Sequence, residues 1–410
     1  MPLIMRQKNS IKILLFSAIL LASCCAQTPE PTLRPLKATL QVTPTIAITS
    51  TPPPSVTPTR ITETPTATPI PELPLFTDDH IRDQVNRLAV EFMTTTKNPG
   101  LSVAIIKRNQ QTGQLEALLL NYGTVSKGGG RPINSNTVYE IGSITKLFTG
   151  TLLAEDVNSG EMKLNDPIQN YLPSGIQAPN YNGVPITLDE LATHRSGLPR
   201  DLASDNLPDL YTWLNTYQLI HKPGSEYIYS NLGYSLLGDI LARHANMDYG
   251  TLVFQSVSQP LGLLDTTEVL STDQMNRLAQ GYDYNGLLAP YFPNSGAMSS
   301  AGYLHSTLND LTRFLIDNMQ PDSTTLNASL TLAQTMQAEG RNQGTGTALG
   351  WEINRPGESD ERVWKGGVTN GFSSYVSFAR DDNSGFVLLT NGQYVDNLVN
   401  AMTFLLKEGN

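Results

Sequence analysis

Cysteine is nearly missing from this chain: two in 410 residues, Cys24 and Cys25, adjacent and near the start. A disulfide-stapled fold and a cysteine-based metal site are both excluded. Charged residues are scarce, 16% of the chain, against about 25% in ordinary globular domains. Positive charge is the scarcer sign, 27 Lys+Arg to 37 Asp+Glu, and a net charge of −10 argues against a nucleic-acid partner. Glycine is absent from Ala26 to Pro74. The apolar run Ile13 to Leu21 is too short to span a bilayer stably, which takes about 20 residues. The length allows one large or two ordinary domains.

What is present shows that these shortages are local. Arg6, Lys8 and Lys12 precede the apolar run, as in an export signal. The run ends in Leu21-Ala22-Ser23-Cys24, which resembles the bacterial lipobox, where cleavage frees the cysteine amine and the thiol carries diacylglycerol. Residues 1–24 are therefore expected to be a lipoprotein-type signal with Cys24 lipidated. The alternative is an ordinary signal peptide cut nearby, giving a secreted protein. Residues 25–77 read as an extended linker: half of Ala26–Pro74 is Pro or Thr, including twelve of the 27 prolines. At about 3.1 Å per residue such a segment reaches on the order of 150 Å. The charges in the linker balance, so residues 78–410 carry 21 Lys+Arg against 34 Asp+Glu. The domain is acidic.

Within 78–410, Asp78–Thr95 has helical periodicity, with Ile81, Val85, Leu88, Ala89 and Phe92 on one face. Leu101–Lys107 and Leu115–Tyr122 read as a hairpin around Gln-Gln-Thr-Gly. Residues 143–340 are dominated by helical patterns. Arg362–Lys365, Ser373–Arg380 and Gly385–Thr390 return to strands, and Val395–Lys407 closes the chain as an amphipathic helix. The expected fold is α+β in two lobes. An antiparallel sheet of five or more strands, assembled from both ends of the chain and flanked by helices, stands beside an all-helical lobe.

Ser143 and Lys146 stand three apart at the start of a helical run reaching Asn158, so they share a face. A serine hydroxyl becomes a nucleophile when a neighbour takes its proton, and a lysine can do so once burial or nearby charge lowers its pKa. Alone this pair is weak, since an N-cap serine beside a surface lysine has the same spacing. Two further motifs support it: Tyr229-Ser230-Asn231, the only Tyr-x-Asn in the chain, and Lys365-Gly366-Gly367 at the end of a strand.

In that order, Ser-x-x-Lys, Tyr-x-Asn and Lys-x-Gly resemble the serine β-lactamase and penicillin-binding protein superfamily. Tyrosine in the second motif is similar to the class C β-lactamase branch, with its D-alanyl-D-alanine carboxypeptidase and esterase relatives. The stretches Leu191-Ala-Thr-His194-Arg-Ser-Gly-Leu-Pro199, Pro260-Leu-Gly-Leu-Leu-Asp-Thr, Gly350-Trp351 and Gly366-Gly-Val-Thr-Asn-Gly-Phe fit the same family. The resemblance covers about 80–407 and implies a β-lactamase/transpeptidase-like fold. It implies that Ser143 is acylated, with Lys146 and Tyr229 sharing the proton transfers; which is the base stays open. Asn231 would bind the substrate amide, and the backbone N–H groups of Ser143 and Val368 would form the oxyanion hole. Gly366 and Gly367 would leave room for substrate backbone, and Lys365 would face a substrate carboxylate. The third motif is Lys-Gly-Gly where the family has Lys-Thr-Gly, so a hydroxyl that would help hold a carboxylate is missing.

His80, His194, His221, His244 and His305 show no metal-like spacing, and His194 reads as structural. Ser235 lacks the second glycine of a nucleophile elbow. Tyr282, Tyr284, Tyr291 and Tyr303 fit either a cleft or an aromatic core. Gly128–Gly130 carries no nucleotide signal. The expected protein is an extracytoplasmic, membrane-anchored serine hydrolase. It would be a monomer without cofactor or metal, acting on peptidoglycan stem peptides or β-lactams. Rival readings are an esterase on the same scaffold and a penicillin- or peptide-binding sensor without turnover.

Overall fold

The computed structural model describes residues 72–202, 207–291, 296–381 and 383–408. Cys24, the leader and the linker up to residue 71 lie outside them. The last residues of the expected linker belong to the fold. Leu75 bridges Ala117 in parallel, Phe76 N–H donates to the Ala117 carbonyl, and Ala117 N–H donates to that of Pro74. Phe76, placed in the linker by the sequence reading, packs on a core of the domain.

Helix α1, Asp79–Thr96, starts where the Asp78 side chain accepts from the Ile81 N–H and ends at Lys97 in a left-handed conformation. Ile81, Val85, Ala89 and Phe92 form its buried face. Strands β1, Gly100–Arg108, and β2, Leu115–Ser126, form the expected hairpin, and β3, Gly129–Pro132, extends it. In a nine-stranded sheet, β1 pairs on its other side with Ser384–Thr390, followed by Ser373–Ala379, Arg362–Val368 and three short strands between 338 and 354. Every pairing is antiparallel.

Both faces of β1 are covered, so its apolar run is unbroken rather than alternating. Leu101, Val103 and Ile105 pack with α1 and the closing helix Asp396–Glu408. Ala104 and Ile106 point into a second core shared with helix α2, Thr145–Ser159, and with helices Asn231–His244 and Leu308–Met319. The sheet thus joins the first and last strands of the described residues, and the helical middle packs on one face.

Candidate active site

Three pieces of chain meet at one point. The first is the turn Gly142–Ile144, a short 3-10 helix leading into α2. Ser143 lies in this turn, before the α-helix expected to begin with it. Gly142 adopts φ +51, and a Cβ there would lie 2.6 Å from the Val368 nitrogen. Only glycine lets the turn press against the strand Arg362–Val368. Gly367 is pressed from the other side: its Cβ would meet the Ile141 carbonyl at 2.1 Å and the Ser143 nitrogen at 3.0 Å. Its missing side chain makes room for this turn. At Gly366 a Cβ would meet the Tyr375 ring at 3.3 Å. The Ser143 and Val368 amides therefore flank the same close contact.

The second piece is Tyr229–Asn231, at the start of the helix Asn231–His244, which the Ser230 side chain caps by accepting from the Gly233 N–H. Ser143 Oγ and Tyr229 Oη share a hydrogen bond of 2.6 Å. Lys146, the second residue of α2 and fully buried, donates from Nζ to Ser143 Oγ at 3.1 Å, to Asn231 Oδ1 at 2.8 Å and to the Ala301 carbonyl at 2.5 Å. Ser143, Lys146, Tyr229 and Asn231 thus form one hydrogen-bonded set. Asn231 Nδ2 donates one hydrogen to Asp201 Oδ1 at 2.7 Å, which leaves its second.

The third piece is Lys365. It lies beside the set, its Nζ 5.4 Å from the Tyr229 ring, but it is only 2% exposed and donates to Glu352 Oε1 at 3.3 Å. The same Glu352 oxygen accepts from Tyr227 Oη at 2.8 Å. Without substrate, the Lys365 ammonium is buried, paired with Glu352 and beside the Tyr229 ring. The exposed cation in the cleft is Arg200, paired with Asp201 at 3.1 Å, its guanidinium 5.2 Å from the Tyr229 ring.

These charges tune the set. Burial lowers the Lys146 pKa to about 8, helped by the Lys365 and Arg200 charges and opposed by Tyr229. Burial would raise Tyr229, yet the Lys146 and Lys365 charges and hydrogen bonds from Lys146 and Ser143 outweigh it and bring the phenol down to about 8. The two titrate as a pair. His194, read from sequence as structural, lies with its ring centroid 4.2 Å from that of Tyr229 at an interplanar angle of 35°, and its Nδ1 accepts from the Ser230 N–H at 3.1 Å. Burial, then the Lys365 and Lys146 charges, keep its imidazole neutral. It positions Tyr229.

A cavity of about 420 Å³ opens in front of Ser143, bordered by Arg200, Asn231, Tyr303, Val368 and Thr369. Of the tyrosines noted above, Tyr303 borders this cleft, Tyr282 is buried and Tyr284 is exposed elsewhere. Gly142, Arg200, Asp201 and Glu352 carry no signal in sequence spacing, although Arg200 directly follows the family-like Gly197-Leu-Pro199. Among the described residues, no group of three or more His, Cys, Asp or Glu is placed to hold a metal ion.

The family model described as beta-lactamase matches residues 85–408. A D-alanyl-D-alanine-carboxypeptidase/endopeptidase, AmpH of Escherichia coli K12, is 32% identical over 343 residues, covering 77% of this chain and 86% of that protein. A beta-lactamase of Pseudomonas fluorescens is 28% identical over 348 residues, covering 77% and 94%. Among solved structures, a beta-lactamase/D-alanine carboxypeptidase from Pseudomonas syringae superposes with a TM-score of 0.73 at 26% identity, covering 81% of this chain and 99% of that one. A class C beta-lactamase shares the fold with a TM-score of 0.72 at 24% identity, covering 80% of this chain and 96% of that one.

Proposed function

Since the chain belongs to the beta-lactamase family of serine hydrolases, we propose that it acts through an acyl-Ser143 intermediate on D-alanyl-D-alanine-type peptides or β-lactams. The observation that carries this reading is the single hydrogen-bonded set in which Ser143 Oγ meets both Tyr229 Oη and Lys146 Nζ. Once the Lys146–Tyr229 pair has lost one proton, it can accept that of Ser143 as Oγ attacks the carbonyl carbon. The oxyanion then forms beside the Ser143 and Val368 N–H groups, whose dipoles stabilise it. The pair returns the proton to the leaving amine, or to the lactam nitrogen, as the C–N bond breaks. Water attacks the acyl ester by the same route, and Ser143 regains its proton.

Asn231 offers its second amide hydrogen to the substrate, and Arg200 offers a guanidinium to a carboxylate. With Lys365 adding positive charge beside Tyr229, the site can thus take a peptide C-terminus or a β-lactam acid although Gly366 brings no hydroxyl. The relatives named carboxypeptidase and beta-lactamase support both substrate classes. The leader and Cys24 support an extracytoplasmic lipoprotein. Mass analysis of the amino-terminal peptide from the mature protein should find Cys24 first and diacylated; an unmodified end elsewhere would leave secretion.

The deciding experiment incubates the protein with a fluorescent penicillin, a chromogenic cephalosporin, a D-Ala-D-Ala peptide and a nitrophenyl ester, with Ser143→Ala as control. Turnover of the peptide or cephalosporin supports the proposal. Ester turnover alone favours an esterase, and labelling without turnover a sensor. Full activity in Ser143→Ala would remove the mechanism.

A further inference from the structure

A second cavity, of about 640 Å³, is larger than the cleft beside Ser143 and falls within the range used by small-molecule sites. Its walls are the end of α1 around Thr95–Asn98, the turn 282–286, and the chain entering the closing helix at Tyr394 and Asn397. Two exposed aromatic rings border it, Tyr284 at 69% and Tyr394 at 58% exposure. Tyr394 holds φ +73, a left-handed conformation that a tyrosine adopts at a cost and that core packing does not demand of an exposed side chain.

The walls carry no surplus charge: Glu91 and Asp283 balance Lys97 and Lys127. Lys127 is already committed, donating to the Gly286 carbonyl at 2.6 Å and lying over the Tyr282 ring. The four charges sum to zero, so the cavity offers an ionic ligand no net attraction. A neutral ligand with flat C–H faces, hydroxyls and amides would find two tyrosine faces and the exposed polar side chains of Thr95, Asn285 and Asn397.

The cavity is tied to the cleft. Gln393, in its wall, donates from Nε2 to the Thr369 carbonyl at 2.9 Å, and the Tyr282 N–H donates to the Gly371 carbonyl at 3.0 Å. Thr369 and Asn370 border the cleft in front of Ser143, so the turn Thr369–Phe372 separates the two spaces and is held by groups of the second.

We propose that this cavity binds an N-acetylated sugar, the glycan part of a substrate whose attached peptide reaches Ser143. The proposal rests on the peptidase reading above and narrows it: the preferred substrate is a peptide still joined to sugar.

The test uses the intact protein carrying Ser143→Ala and a β-1,4-linked N-acetylglucosamine trimer, with maltotriose as control, read by saturation-transfer NMR. Transfer to the acetamido and ring protons of the trimer is expected. It should weaken at least fivefold in Tyr284→Ala and in Tyr394→Asn, the latter keeping a residue that tolerates the left-handed backbone. Thermal midpoints should stay unchanged. In the active protein, KM should be at least fivefold lower for a disaccharide-linked peptide than for the same free peptide, with Tyr394→Asn erasing the difference at unchanged kcat. No transfer at millimolar trimer, transfer indifferent to both substitutions, or equal KM for the two peptides would each overturn the proposal. If neither peptide is cleaved, the peptidase reading fails, and trimer binding to the Ser143→Ala protein still decides the cavity.

Discussion

Tyr229 lies between two ammonium groups, and its proton is held less tightly for that reason. Below about pH 8 the Lys146–Tyr229 pair carries both protons, so no base faces Ser143. Acylation should therefore accelerate with rising pH and level off above about 8. Lys365 lowers both members of the pair, because a nearby positive charge favours losing a proton. Lys365→Met should move the rising limb upward by about one pH unit. Glu352, left without its cation though still hydrogen-bonded to Tyr227, pushes in the same direction. Stopped-flow acylation by a chromogenic cephalosporin across the alkaline range reads this directly, and an unmoved limb would refute the assignment. Arg200 should behave differently. Arg200→Gln should raise KM about tenfold for carboxylate substrates and less than about twofold for a neutral ester, with the limb in place. Equal effects on both substrates would remove its proposed role.

At the scale of elements, the turn before α2 decides whether two backbone amides converge. Gly142→Ala combines a left-handed backbone with a Cβ 2.6 Å from the Val368 nitrogen. It should cost about 1–3 kcal/mol of stability and lower kcat by about 100-fold, as losing one oxyanion donor does. Gly160 closes α2 at φ +82 with nothing within 4 Å of a Cβ. Gly160→Ala should therefore lower the thermal midpoint mildly and leave kcat alone, which separates strain from misplacement of the amides. Similar losses of kcat in both would show that the contact with Val368 does not matter. Ser143 and Lys146 were legible through the order of the three motifs, since their spacing alone also fits an N-cap serine beside a surface lysine, and the strands because their apolar runs are bounded by turns. The role of Gly142 was not, since its reason lies in a strand more than 200 residues away. Nor was the orientation of Lys365, which depends on a carboxylate from the neighbouring strand. The Tyr284 and Tyr394 rings were equally hidden: tyrosines look alike in sequence whether they fill a core or border an open cavity.

Across the whole molecule, the site exists only when distant parts of the chain assemble. Lys146 rides on α2, and α2 is locked by the segment Leu349–Trp351: a Cβ on Gly150 would lie 2.0 Å from the Leu349 carbonyl, and one on Gly350 would lie 2.6 Å from that of Lys146. Trp351, fully buried, continues an aromatic stack. Phe148 of α2 lies 4.6 Å from Phe314, Phe314 lies 6.3 Å from Trp351, and Trp351 meets Phe378 of the sheet edge-on at 5.8 Å. Helix, helix and sheet are thus joined beneath the Ser143 turn. Trp351→Ala should cost about 3–5 kcal/mol, as large-to-small core changes do. Because that packing holds α2 against the sheet, the site should not melt before the fold does. Labelling of Ser143 by a fluorescent penicillin, followed through a urea titration, should fall along the same curve as tryptophan fluorescence, and both curves should shift together in Trp351→Ala. Labelling lost well below the fluorescence midpoint would mean that the Ser143 turn opens locally while the sheet stands. The glycine contacts and the stack would then be a local clamp rather than the joint on which the site depends.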